Sequence, residues 1–156
     1  MNHDISAMQY MRAHGNIPGP TQRPYLTGAV SGMLASAPSI LVRYLSGSLL
    51  SEADALGSNL WIAVAFDVSV LVLAGMIYAA IFKRAANDTR GGWMFGASFG
   101  FLIWMIGPVT IWQWTTGRAL ATGTPAMGIF GAQVIYGLAL GGLFPFVNRA
   151  LQTKMR

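Results

Sequence analysis

The chain has 156 residues, of which 54% are hydrophobic and 10% charged, with a formal net charge of +5. An ordinary soluble domain carries about a quarter charged residues, so these proportions exclude a soluble globular class and predict an all-α integral membrane protein folded as one compact bundle. Cysteine is absent, which excludes disulfides, thiolate metal sites and Cys-ligated clusters and leaves the redox compartment undecided; the basic excess matches a nucleic-acid binder only in its total.

Residues 1–24 read as a polar cytoplasmic segment. They begin without the basic-then-apolar pattern of a cleaved signal peptide. Met1, Ile5, Met8 and Met11 share one arc of a helix, which Asp4 and Arg12 interrupt. That pattern leaves two readings open, a short helix on the membrane surface or a mobile tail. Gly15 and the run Pro18, Gly19, Pro20 end any helix there.

The first membrane span is expected at about 25–50. At 100° per residue, Gly28, Gly32, Ala35, Ser36, Ser39, Arg43 and Ser46 share a face, and small residues on one face let a second helix approach closely. Pro38 should kink this span and free the Leu34 carbonyl. Residues 51–58 read as a short acidic loop with Glu52 and Asp54. The second span, about 59–82, places Asp67, Leu71, Ala74 and Tyr78 on one face and stops at Lys83 and Arg84. The third, about 92–114, aligns Gly92, Gly96, Gly100, Gly107 and Thr110 as a glycine zipper, with Pro108 expected to bend its outer part. Trp93 at one end and Trp112 and Trp114 at the other fit aromatic belts. The fourth, about 126–147, puts Phe130, Gln133, Gly137, Gly141 and Phe144 on one face, ahead of a basic tail at 148–156.

Charge sets the orientation. Arg12, Arg23, Lys83, Arg84, Arg90, Arg149, Lys154 and Arg156 fall on one side of such a four-span bundle and only Arg118 on the other. The positive-inside rule then places both termini in the cytoplasm, consistent with a bacterial inner membrane. A weak internal repeat, Gly28/Gly32 echoed by Gly96/Gly100 and Asp67, Gly75, Lys83 echoed by Gln133, Gly141, Arg149, suggests two tandem helical hairpins.

Two ionisable residues interrupt the apolar spans, Arg43 and Asp67. A carboxylate inside a span is unfavourable by a few kcal/mol and needs a partner, and counting turns from the outer ends brings the two level. Gln133 enters at the same depth, and Thr110 and Gln113 arrive from the third span. These five residues would make one polar layer, either a functional site for an ion, a proton or an anionic head group, or a structural ion pair that fixes helix register. The only histidines, His3 and His14, lie outside the spans, so no cofactor is held through His or Cys within the bundle. No metal-ligand cluster, nucleophile set or phosphate loop is present. The aromatic third span (Trp93, Phe95, Phe99, Phe101, Trp104) suits contact with a lipid, quinone or carotenoid, or simply lipid-facing and helix-packing roles.

The layout of the spans, with Ala132–Gly141 reading A-Q-V-I-Y-G-L-A-L-G, resembles a group of small four-helix bacterial membrane proteins whose last helix reads His-x-x-Tyr-Gly-x-x-x-Gly. Tyr136, Gly137 and Gly141 match, and Gln133 stands where histidine is usual. The resemblance implies a span layout and no activity. Two functions follow from the sequence. One is a non-catalytic accessory or assembly subunit packing through the glycine faces Gly28/Gly32, Gly92/Gly96/Gly100 and Gly137/Gly141 against other membrane subunits. The other is a small transporter or lipid-binding protein that uses the Arg43/Asp67 layer as a homo-oligomer. Neither involves nucleic acid.

Overall fold

The computed structural model describes residues 21, 23–117, 119 and 122–152. The expected surface helix at 1–20, Arg118, and Lys154 and Arg156 of the tail lie outside these described residues. The described chain is helical: α1 (Pro24–Leu45), α2 (Ser48–Ala55), α3 (Leu60–Phe82), a 3-10 turn (Ala85–Asn87), α4 (Gly92–Trp104) and α5 (Thr124–Leu151). Beyond Trp104 the axis of α4 continues as a π-helical segment, Met105–Trp112, and a last turn, Gln113–Thr116. Four helices are long and apolar enough to cross a membrane: α1, α3, α4 with its continuation to Thr115, and α5.

The boundaries differ from the sequence expectation in three places, each for a local reason. The first span ends at Leu45, not near residue 50, because Gly47 takes a left-handed φ of 75°. The Ser46 and Ser48 hydroxyls then both donate to the Arg43 carbonyl, at 3.0 and 3.1 Å. What read as an acidic loop is largely the helix α2, which buries Leu49 and Ala53 one turn apart. In the third span, Pro108 widens the turn into a π-helix instead of only bending an α-helix; the missing N–H is absorbed by the longer repeat. The fourth span runs further at both ends than 126–147 and carries Pro145 buried inside it. Pro38 likewise lies within α1 without ending it.

Packing follows small residues. α1 lies between α3 and α5, and α5 between α1 and α4, while α3 and α4 touch only slightly. The small faces explain these neighbours. A Cβ at Gly28 or Gly32 would strike the Gly75 or Leu71 carbonyl of α3, and one at Gly92, Gly96 or Gly100 would strike the Gly141, Gly137 or Gln133 carbonyl of α5. Backbones this close gain dispersion contact along the whole seam. Two hairpins result, α1/α3 and α4/α5, each closed on glycine. Their contacts also set the register of the repeat. Gly28 and Gly32 correspond to Gly92 and Gly96, not to Gly96 and Gly100, while Gly75 still corresponds to Gly141.

The hairpins are knitted at the end that carries Lys83–Gly91. Tyr78 of α3 stacks near Phe99 of α4 and Phe144 of α5, with ring centroids 5.3 and 5.7 Å apart. Its hydroxyl donates to the Gly92 carbonyl at 3.3 Å. Deeper in, the Tyr136 hydroxyl of α5 donates to the Leu71 carbonyl of α3 at 2.6 Å. Each tyrosine therefore fills space with its ring and satisfies its one polar atom. At the other end Gly128 of α5 rests on the Ser46 side chain.

Candidate functional site

The site lies where α1 ends and α2 folds back. Arg43 is two residues from the end of α1, and Asp67 is about two turns into α3. Side chains on a helix lean toward its N-terminus. Arg43 therefore leans back into the bundle and Asp67 leans out toward it. Arg43 Nη1 donates to Asp67 Oδ2, and Arg43 Nη2 donates to Glu52 Oε2. The guanidinium thus bridges two carboxylates on two different elements. Burial is deep, with Arg43 6% and Asp67 7% exposed.

Glu52 is the residue the sequence reading missed. In the sequence it falls in a short acidic loop, and only the fold-back at Gly47 carries it over Arg43. The signal was present: in Ser48–Ala55 the apolar Leu49 and Ala53 are spaced for one helix face. An arginine nine residues before an acid can be reached by it when the chain reverses between them.

The other members of the expected layer separate. Gln133 is 7% exposed, but its Oε1 has no hydrogen-bond partner and it makes no bond to the charged cluster among the described residues. Thr110 does not join the layer: it is exposed, and its hydroxyl donates to the Met105 carbonyl at 2.9 Å within its own π-helical turn. Gln113 is half-buried beyond that segment. The reason is geometric. The continuation of α4, Met105–Trp112, buries no residue, so its polar groups do not reach the core. In the register of the repeat, Gln133 corresponds to Asp67 and Gly107 to Arg43, so the second hairpin keeps an amide and has no cation.

Polar groups continue inward from the cluster along α1. Thr27, Ser31 and Ser39 are fully buried, and their hydroxyls have no hydrogen-bond partner among the described residues. With Arg43 they repeat every four residues, apart from Ala35, so they stack along one stripe. Among the described residues no group of three or more His, Cys, Asp or Glu could hold a metal ion.

The charge count is uneven, with one cation and two anions. Burial raises the pKa of the Glu52 carboxyl above its ordinary value of 4.5; Arg43 opposes this and the Asp67 carboxylate adds to it. An acid whose pKa is raised by folding favours the fold when protonated. That contribution is complete below 4.5 and is lost as pH rises through the raised value. Glu52→Gln keeps an acceptor for Arg43 and removes the charge. In thermal unfolding in detergent, the variant should match the wild type at low pH and gain on it as pH rises through that window. A difference between the two that is constant with pH would show that Glu52 carries no excess charge in the fold.

No family model, no curated protein and no solved structure matches the chain.

Proposed function

We propose that the chain is a non-catalytic multi-pass membrane protein, with both termini cytoplasmic in a bacterial inner membrane, whose working site is a reversible proton-binding cluster of Arg43, Glu52 and Asp67 used in transport. The observation that carries this reading is the second carboxylate. A purely structural pair needs one acid for one arginine, and the extra buried negative charge is unfavourable unless the site takes up a cation. The stripe Ser39, Ser31, Thr27 gives the cluster polar neighbours toward the opposite side. The glycine faces add nothing to an accessory-subunit role, because Gly28, Gly32, Gly92, Gly96, Gly100, Gly137 and Gly141 are all used inside the chain. What favours that second reading is the continuation of α4, Met105–Trp112, which contains no fully buried residue and leaves Met105, Ile106 and Ile111 exposed to a partner subunit or a second copy.

Reconstitution into vesicles loaded with a pH-sensitive dye tests the proposal. An imposed pH gradient should decay faster with the wild type than with Glu52→Gln or Asp67→Asn. Equal decay in all three, together with stoichiometric foreign subunits in a mild-detergent pull-down, would replace transport with the accessory role. Orientation has its own check: reporter fusions at Gly123 and Arg156 should report opposite sides, and the same side at both would refute the topology.

A further inference from the structure

At the opposite end from the charged cluster, a groove of about 360 Å³ opens between the start of α1 and the end of α3. It is lined by Thr21, Pro24 and Tyr25 around the start of α1 and by Ala79, Ala80, Lys83 and Arg84 around the end of α3. Both cations are exposed, and among the described residues neither forms an ion pair. No acid among the described residues lines the groove. Two cations over an uncharged recess attract an anion, and the ring of Tyr25, which is 60% exposed, stands beside them.

The backbone at this point is also unusual. Lys83 has a φ of 46°, the only positive value at a non-glycine residue among those described. It caps α3, with its N–H bonded to the Ala79 carbonyl at 3.2 Å. Thr21 Oγ1 donates to the Lys83 carbonyl at 3.5 Å, which closes the groove on that side. Below it, Leu73, Ile77 and Ile81 of α3 are exposed along the helix at 58%, 53% and 57%. An apolar track that leads into a basic recess matches a molecule with a charged head and long apolar tails.

We infer that this groove binds the phosphate of an anionic phospholipid, with Lys83 and Arg84 holding the head group and the acyl chains lying along α3. The two cations supply charge-assisted hydrogen bonds to the phosphate oxygens, and each basic residue at an anionic surface contributes to binding. This site is separate from the Arg43 cluster and does not depend on what that cluster does.

Native mass spectrometry of the detergent-solubilised protein, titrated in turn with phosphatidylglycerol, phosphatidylcholine and inorganic phosphate, tests the assignment. The wild type should retain phosphatidylglycerol in preference to phosphatidylcholine. The variant K83Q/R84Q should lose about thirtyfold in affinity for it. R149Q removes an exposed charge from the same end, outside the groove, and should leave affinity unchanged; it separates a built site from general basic attraction. Both changed positions in K83Q/R84Q are exposed, and an unshifted melting temperature would show that the loss is one of binding. Equal retention of the two lipids would overturn the inference. So would equal losses in K83Q/R84Q and R149Q. Displacement of the lipid by inorganic phosphate at matched concentration would reassign the groove to free phosphate.

Discussion

Arg43→Gln should destabilise the fold by about 3–5 kcal/mol, more than any other single change in the charged cluster. Arg43 is the one cation between two carboxylates, and all three groups are largely withdrawn from solvent. Its loss strands two like charges side by side. Asp67→Asn is a milder change, because Arg43 keeps Glu52 and the cluster becomes neutral. From the sequence alone, with Glu52 in a loop, Asp67 is the only partner, and Asp67→Asn is expected to destabilise more than Arg43→Gln/Asp67→Asn together because the single change strands the arginine. The triple variant Arg43→Gln/Glu52→Gln/Asp67→Asn should recover most of the stability lost in Arg43→Gln, since no charge is left to strand. Chemical unfolding of the four proteins in detergent at pH 7 measures this. An Asp67→Asn protein as damaged as Arg43→Gln would mean that Glu52 does not share the guanidinium.

The second large effect is expected at the α4/α5 seam. A Cβ at Gly96 would overlap the Gly137 carbonyl and lie 2.8 Å from Gly141 Cα. Backbone cannot rotate away as a side chain can, so the helices must separate. Overpacking of this kind is unfavourable by about 1–3 kcal/mol, and more where the whole seam opens. Gly96→Ala should lower the thermal stability clearly, and Gly96→Leu more. Met94→Leu, on the exposed side of the same helix, should be tolerated. Gly131 and Gly142 supply a stricter control, since a Cβ there meets nothing within 4 Å; alanine at either should be neutral or stabilise by up to about 1 kcal/mol. Thermal scans in detergent compare the set. Tolerance of leucine at Gly96 equal to that at Met94 would mean that α4 and α5 are not held by glycine contact.

The architecture was legible where periodicity is strong. Every residue of the expected faces from Gly28 to Arg43, from Asp67 to Tyr78 and from Gln133 to Phe144 is buried, although neighbours such as Thr27, Ser31, Ala63, Gly75, Ala132 and Tyr136 are buried beside them. The repeat was visible but misregistered by one turn, because glycine recurs every four residues through Gly92, Gly96 and Gly100. A periodic signal fixes a face and leaves its axial position free; only the carbonyl each glycine meets determines that. The site was half legible. Depth counting levels Arg43 with Asp67, since rise per residue is constant in a helix. It could not find Glu52, whose position depends on one left-handed glycine. It wrongly added Thr110, because a face drawn at 100° per residue does not survive a π-helical segment, where each turn holds more residues.

One property of the cluster concerns how such a chain is made. Arg43, Glu52 and Asp67 all belong to the first hairpin and its connecting helix, and so do the glycines that close that hairpin. A chain entering a membrane during synthesis would complete this unit before α4 and α5 leave the ribosome. Its arginine and both acids would find one another locally, with no later helix required to compensate them. The second hairpin, with Gln133 and Gly107 at the corresponding positions, carries no charge at that level and would insert by apolarity alone. The costly charges thus lie together in one segment that can neutralise them unaided, a property that does not depend on which hairpin comes first.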